Sequence, residues 1–308
     1  MTISTIFFGT HNFAAKILAE LIKNGSFDIT LAVTQPDRPA GRKQDLEIPA
    51  VKLLAEKNNI PVAQPAGLSL RGVIPFPDFY DLNILCQYGN IITKEILDKS
   101  KYGSINVHPS LLPRYRGASP IQSALVNGET ETGVSIILMD EELDHGPILA
   151  QKKMNIGDDD NFVSLSAKLS YLSAPLLVNT ALDFVNGKIT PGPQNHDQAT
   201  FCKQLSREDG KIDFNKSAKE IYNQWRGLAP WPGVWASWEN KRLKFINISP
   251  LPLYKGDVGR GYVRGHKLII ACAQGAIEIL ELQLEGKKPM VAAAFINGYG
   301  KINGAILR

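Results

Sequence analysis

Two patterns in the 308-residue chain predict its fold class. The first half alternates β-branched apolar runs with helix-spaced runs, which argues for a mainly parallel sheet covered by helices on both faces. The last third changes to short alternating strands punctuated by glycine, the pattern of a small antiparallel barrel. Between them Ile189-Thr190-Pro191-Gly192-Pro193-Gln194 is rich in helix and strand breakers and reads as a linker. The expectation is an α/β chain: a Rossmann-like doubly wound, mainly parallel sheet over residues 1–188, a linker over 189–205, and a C-terminal OB-like β-barrel over 206–308.

The elements follow in order. Ile3-Ser4-Thr5-Ile6-Phe7-Phe8 is apolar and β-branched and stops at Gly9, a first strand. Helical spacing runs from Phe13 to Leu21, with Gly25 as its C-cap. Ile29–Thr34, Leu82–Cys86, Ser104–His108 and Val134–Met139 are further strands; 50–56, the region of Leu97 and 118–127 are helical. Residues 162–186 form one long helix, with Leu165, Leu169, Leu172, Leu176 and Leu177 lining one side and Gly187 closing it. Beyond the linker, Ser217 with Glu220 three residues on is a capping box opening a short helix to Gly227. Leu243–Ile248, Gly261–Val263, Lys267–Ala271 and Ala276–Leu282 are the strands of the barrel.

Composition excludes several classes. No apolar run approaches the roughly 20 residues that span a bilayer. The start Met1-Thr2-Ile3-Ser4-Thr5-Ile6 has no basic region or cleavage site, so a cytoplasmic protein is expected. Cys86, Cys202 and Cys272 are far apart and form no CxxC pair, which signals neither zinc nor a disulfide framework; they are expected to be small buried apolar groups. Charge is unevenly spread. Residues 204–308 hold 16 Lys and Arg against 9 Asp and Glu, a net of +7, and the remainder holds 18 against 21, a net of −3. A basic last third on a mildly acidic body suits contact with a polyanion or is simply a solvated surface.

The chemical signal lies in Ser104-Ile105-Asn106-Val107-His108-Pro109. Residues i and i+2 of a strand share a face, so Asn106 and His108 project together while Ile105 and Val107 face a core. Pro109 ends the strand and favours an extended His108. That places the pair at the carboxyl end of a parallel strand, where open α/β sheets bind ligands. The next segment, Ser110 to Pro120, carries two prolines, a glycine and two arginines and reads as an ordered loop opening a helix. Asp144 follows the strand Val134–Met139, at another strand end; a carboxylate beside an imidazole orients it and favours its charged form. Composition does not separate Asp144 from Asp140, Glu141 and Glu142.

Asn106-Val107-His108-Pro109-Ser110-Leu111-Leu112-Pro113, followed by Leu143-Asp144-His145-Gly146, resembles the active-site signature of the folate-dependent formyltransferases, and the likeness extends over nearly the whole chain. Phe8-Gly9-Thr10-x-x-Phe13-Ala14 resembles that family's opening strand–helix turn. Thr34 to Arg42 is similar to a loop of the members that act on methionyl initiator tRNA, and Pro230-Trp231-Pro232-Gly233 with Lys241-Arg242-Leu243-Lys244 resembles the start of their carboxy-terminal barrel. The resemblance implies that Asn106, His108 and Asp144 are the catalytic trio. It implies that Asn90, Ile92, Ser110, Leu111, Leu112, Pro113 and Asp140 border 10-formyltetrahydrofolate, the formyl donor. It also implies that Arg38, Arg42, Lys43, Lys241, Arg242 and Lys244 touch tRNA, with no metal, no membrane and a monomeric enzyme. Three places depart from the pattern: His145 stands where a small or hydroxyl residue is commoner, Cys86 where Ala is usual, and His11-Asn12 where Pro or Ser precedes an acid. His145 is expected to perturb Asp144. An amino-sugar or glycinamide ribonucleotide formyltransferase would share the trio without needing a basic barrel, and a hydrolase would use the same three residues with water as acceptor. A nucleotide-binding protein is weakly hinted by Phe8-Gly9-Thr10, but no GxGxxG follows. As a polar strand-end residue, His108 is expected to carry little packing, so His108→Ala should spare folding.

Overall fold

The computed structural model describes residues 2–40, 45–65, 77, 79–90 and 92–308. The chain divides into two compact units: Met1–Pro120, Glu131–Asn155 and Leu165–Cys202 form the first; Ile121–Thr130, Ile156–Ser164 and Lys203–Arg308 form the second.

In chain order the first unit carries β1 (Ile3–Gly9), α1 (Asn12–Asn24), β2 (Phe27–Val33), β3 (Arg38–Ala40), β4 (Asp45–Glu47), α2 (Ala50–Lys57), β5 (Val62–Ala63), β6 (Leu82–Cys86), α3 (Lys94–Leu97), β7 (Ser104–His108) and β8 (Arg116–Gly117). After α4 (Pro120–Val126) come β9 (Glu131–Leu138), β10 (Ile148–Asn155), the long α5 (Phe162–Val185) and β11 (Phe201–Cys202). Seven strands pair in the order β10-β9-β7-β6-β1-β2-β5. From β5 to β7 the pairing is parallel, while β9 and β10 are antiparallel additions on one side. Strand β1 shows why the sheet is central: Ile6, Phe7 and Phe8 are consecutive and all fully buried, which requires cover on both faces. Helix α1 buries Phe13, Ala14, Ile17, Leu18 and Leu21 and ends at Gly25 in the left-handed region (φ 72°), as its spacing predicts.

Two details differ from expectation. Helix α5 buries the stripe Leu165, Leu169, Ser173, Leu177 and Ala181, whereas Leu172 and Leu176 are only half-buried. Ser173 can sit in the stripe because its hydroxyl donates to Leu169 O (2.7 Å). The breaker-rich stretch after α5 is built into the first unit. Ile148 and Gly192 exchange backbone hydrogen bonds (2.7 and 2.9 Å), and β11 pairs in parallel with β8.

The second unit contains α6 (Ala218–Leu228), β12 (Val234–Trp238), β13 (Lys241–Leu251), β14 (Gly261–Arg264), β15 (Lys267–Ala271), β16 (Ala276–Leu284), β17 (Met290–Val291) and α7 (Ala292–Gly298). Its sheet runs β12-β13-β16-β15-β14 with β17 on β16, all antiparallel, the strand-rich antiparallel domain that the sequence predicts. Two register shifts between Phe245 and Ile248 in β13 act as bulges that bend a strand. Leu243, Phe245, Ile270, Ile277, Leu282 and Phe295 fill its core. The Ser217–Glu220 capping box forms in full. Unforeseen is the burial of Arg226: its guanidinium donates to Asn223 Oδ1 (3.0 Å), Gly157 O (3.1 Å) and Asp160 O (3.3 Å). Among the described residues no helix is long and apolar enough to cross a membrane. All three cysteines are buried thiols, and burial pushes that of Cys272 up to about 12.

Candidate active site

Asn106 and His108 lie on one face at the carboxyl end of β7, between Ile105 and Val107, which are buried. The alternation of a strand produces this arrangement directly. His108 itself is only 4 % exposed, so it is a packed residue and not a loosely held strand end. Its Nε2 lies 2.8 Å from Tyr115 O; a carbonyl only accepts, so Nε2 carries a proton and donates. Its Nδ1 lies 3.5 Å from Asp144 Oδ2. Both ring nitrogens therefore face acceptors.

Asp144 reaches this pair by a route the sequence does not show. Strand β9 is antiparallel to β7, with Ile105 opposite Leu138 and His108 opposite Ser135. The end of β9 thus lies beside the start of β7, not beside His108. The following loop folds back: Met139 N donates to Ser104 O (2.7 Å) and Leu138 N to Pro147 O (2.9 Å). A Cβ on Gly146 would come 1.9 Å from Leu138 O, so only glycine admits this close return. Asp144 then takes a left-handed conformation (φ 49°), uncommon for a residue other than glycine. Its carboxylate receives Asn106 Nδ2 at Oδ1 (3.1 Å) and the Gly117 amide at Oδ2 (2.8 Å). The three residues expected as the trio converge.

Several groups that hold this site are missing from the sequence reading. Tyr115 also adopts positive φ (61°), and its amide donates to Thr200 Oγ1 (2.9 Å). Arg116, 4 % exposed, donates to Gln194 Oε1 (2.8 Å) and to His196 Nδ1 (2.8 Å). Gln194 donates in turn to Asp144 O (2.9 Å) and Gly146 O (2.7 Å). The only signal for Arg116 was its place in an ordered Pro/Gly loop; Gln194 and His196 carried none.

The residues expected at the folate are disposed around the trio as follows. Ser110, Leu111, Leu112 and Pro113 form the turn after β7. It is fixed by Ser110 Oγ donating to Arg114 O (2.6 Å), Leu112 N donating to Ser135 Oγ (3.0 Å) and Gln151 Nε2 donating to Leu112 O (2.8 Å). The Leu112–Pro113 peptide is cis. Asn90 and Ile92 are half-buried beyond the end of β6, where Ile92 packs against the cluster of Phe8, Val33 and Tyr88. Asp140 pairs with His145 Nδ1 (2.6 Å) and accepts from Glu142 N (3.0 Å).

Of the cations expected at tRNA, Arg42 and Lys43 lie outside the described residues. Arg38 is exposed on the short β3–β4 hairpin. On β13, Lys241 is exposed. Arg242 pairs with Glu208 (2.9 Å) and lies 3.9 Å from the centre of the Trp235 ring. Lys244 donates to Pro230 O (3.1 Å), and burial lowers its pKa. Among the described residues no cluster of three or more His, Cys, Asp or Glu could hold a metal ion.

The formyl transferase family matches residues 1–181, and the formyl transferase C-terminal domain matches residues 204–300. A methionyl-tRNA formyltransferase of Thermodesulfovibrio yellowstonii is 42% identical over 312 residues, covering 98% of this chain and 98% of its own. One of Caldicellulosiruptor saccharolyticus is 41% identical over 98% of this chain and 99% of its own. Among solved structures, WlaRD, a sugar 3N-formyl transferase in the presence of dTDP and 5-N-formyl-THF, gives a TM-score of 0.67 at 20% identity, covering 94% of this chain and 100% of that one. HypX from Aquifex aeolicus in complex with tetrahydrofolic acid gives 0.65 at 16% identity, covering 98% of this chain and 48% of that one. These two likenesses establish the fold alone.

Proposed function

The chain belongs to the methionyl-tRNA formyltransferase family, and from that premise we infer that it transfers the formyl group of 10-formyltetrahydrofolate to the α-amino group of methionyl initiator tRNA. The observation that carries this reading is the convergence of Asn106, His108 and Asp144 on one another in a chain that aligns end to end with such enzymes.

The folate supplies the formyl carbon, and the residues of this chain supply position, charge and a proton path. Asn106 has a second amide hydrogen beyond the one it gives Asp144, available to an oxygen that gains negative charge. The His108 proton that serves the reaction is the one on Nδ1, because Nε2 is committed to Tyr115 O. At 3.5 Å from Asp144 that proton is held loosely enough to be shared with the same oxygen. Asp144 accepts the proton that the attacking amine loses and returns it to the departing folate nitrogen. The new bond joins the amine nitrogen to the formyl carbon, the bond from that carbon to the folate nitrogen breaks, and the proton moves from the first nitrogen to the second. Half-buried Asn106 and Asp144 beside buried His108 fit a site open on one side to the two substrates.

The turn Ser110–Pro113, the segment at Asn90 and Ile92, and Asp140 border the folate in this reading. Residues 1–188 act as the catalytic domain. The basic residues 206–308, with Lys241, Arg242 and Lys244, and the loop of Arg38, Arg42 and Lys43 take the tRNA, the enzyme working as a monomer in the cytoplasm. The test is formyl transfer from 10-formyltetrahydrofolate with methionyl initiator tRNA offered against free methionine and an amino-sugar nucleotide. Formylation of the tRNA alone supports the reading; formylation of a small amine, or formate release without an acceptor, overturns it.

A further inference from the structure

The loop that carries Asp144 is fastened by a segment far away in sequence. Gln194 is 5 % exposed. Arg116 donates to its Oε1 from Nε (3.3 Å) and Nη2 (2.8 Å). A guanidinium only donates, so the side-chain oxygen must face Arg116 and the amide nitrogen must face the loop. That nitrogen donates to two carbonyls, Asp144 O (2.9 Å) and Gly146 O (2.7 Å). Two residues on, His196 accepts from Arg116 at Nδ1 (2.8 Å) and lies flat on His145, with ring centres 4.0 Å apart and planes 9° apart. Both contacts act on the same few residues, and between them Asp144 holds the left-handed backbone (φ 49°) that an unsupported aspartate seldom keeps.

We propose that Gln194, oriented by Arg116, is a positioning residue for Asp144: its amide clamps the carbonyls on either side of His145 and so fixes where the Asp144 carboxylate meets Asn106, His108 and the Gly117 amide. The proposal rests on the functional reading above. It also accounts for a buried arginine–glutamine pair that the trio itself does not require. Gln194 touches no reacting atom; it acts through Asp144.

The test is Gln194→Glu, which keeps the side chain's shape and its bond to Arg116 but turns an oxygen toward the two carbonyls. A misplaced carboxylate lowers kcat by about 10²-fold with KM for both substrates little changed, the pattern of an interaction that matters in the transition state. In an Asp144→Asn enzyme the same substitution causes no further loss, because two residues acting through one group are not additive. Amide exchange gives a readout independent of turnover: the Gly117 N–H, which donates to Asp144 Oδ2, loses protection in Q194E. Parent-like kcat, equal losses in both backgrounds, or unchanged Gly117 protection overturns the proposal. A parent protein that transfers no formyl group overturns the functional reading instead, and Gly117 exchange then still decides the clamp. Gln194→Leu, which removes the two bonds to the loop together with those from Arg116 and adds no charge, serves with the same readouts if Q194E does not fold.

Discussion

Replacing His108 by alanine separates what the residue does for the fold from what it does for the reaction. The side chain is 4 % exposed and donates from Nε2 to Tyr115 O at 2.8 Å. Without it, that carbonyl keeps as its other hydrogen-bonded partner in the site the Cys202 thiol at 3.5 Å, a weak donor. An under-satisfied buried carbonyl costs ~1–3 kcal/mol, and the cavity left by the ring brings the total to roughly 2–4 kcal/mol. Set against a usual stability of ~5–15 kcal/mol, the variant still folds, with its urea midpoint lowered and the slope unchanged. His108 thus carries packing as well as chemistry, although the alanine variant still folds. Turnover falls further than stability: loss of one donor to a developing oxyanion is worth ~10²–10³ in rate, and Asp144 also loses its imidazole neighbour at 3.5 Å. The assay is formyl transfer to methionyl initiator tRNA on protein shown folded by its urea transition. Turnover close to that of the parent would refute the catalytic assignment; an unmoved midpoint would refute the structural one.

Gly146→Ala forces a Cβ into the space 1.9 Å from Leu138 O, so the returning loop must shift; activity should fall to near the level of Asp144→Ala while the far-ultraviolet dichroism stays native, and a fully active variant would show that the close return is dispensable. Arg226→Met leaves the carbonyls of Gly157 and Asp160 without their guanidinium donor and should destabilise the second unit by ~1–3 kcal/mol, read as an earlier thermal transition. Glu220 has its pKa lowered by its bonds from Ser217, so its contribution is present above the unfolded value near ~4.3 and is lost as pH falls through the lower folded value; Ser217→Ala should flatten that acid limb in a pH series of melts. Lys241 is exposed whereas Arg242 and Lys244 are engaged by Glu208 and Pro230. Lys241→Ala should therefore reduce the salt slope of tRNA binding by about 1, and an unchanged slope would remove Lys241 from the interface.

The parts legible in the sequence are those governed by local periodicity. The spans of β6, β7 and β15 coincide with the runs read from it, because alternating or continuous apolar residues between breakers leave one solution. The capping box at Ser217 needs only a spacing of three. The same local logic puts Asn106 and His108 on one face. Strand direction is different. Nothing within Glu131–Leu138 says that it pairs antiparallel to β7, since an apolar run buried on both faces reads alike in either direction. The breaker-rich segment 189–194 is only partly legible for a related reason. Pro191, Gly192 and Pro193 do break regular structure, but an irregular chain can still be buried when its polar groups are paired, as Gly192 is with Ile148 and Gln194 with Arg116.

His145 shows how a departure that looks isolated in sequence becomes half of a pair in space. Read alone, an imidazole next to Asp144 should disturb the catalytic carboxylate. In the structure its Nδ1 is taken by Asp140 at 2.6 Å and its face by His196. A left-handed residue immediately before it turns consecutive side chains apart, so Asp144 faces Asn106 and His108 while His145 is directed to Asp140. The His145 ring is therefore engaged by Asp140 and not by Asp144, and the stack requires only that the flat face at 145 meet a flat face at 196. A hydroxyl at 145 has no such face to offer, so the two histidines form one arrangement, and a substitution at either one should loosen the loop in the same way as a substitution at the other.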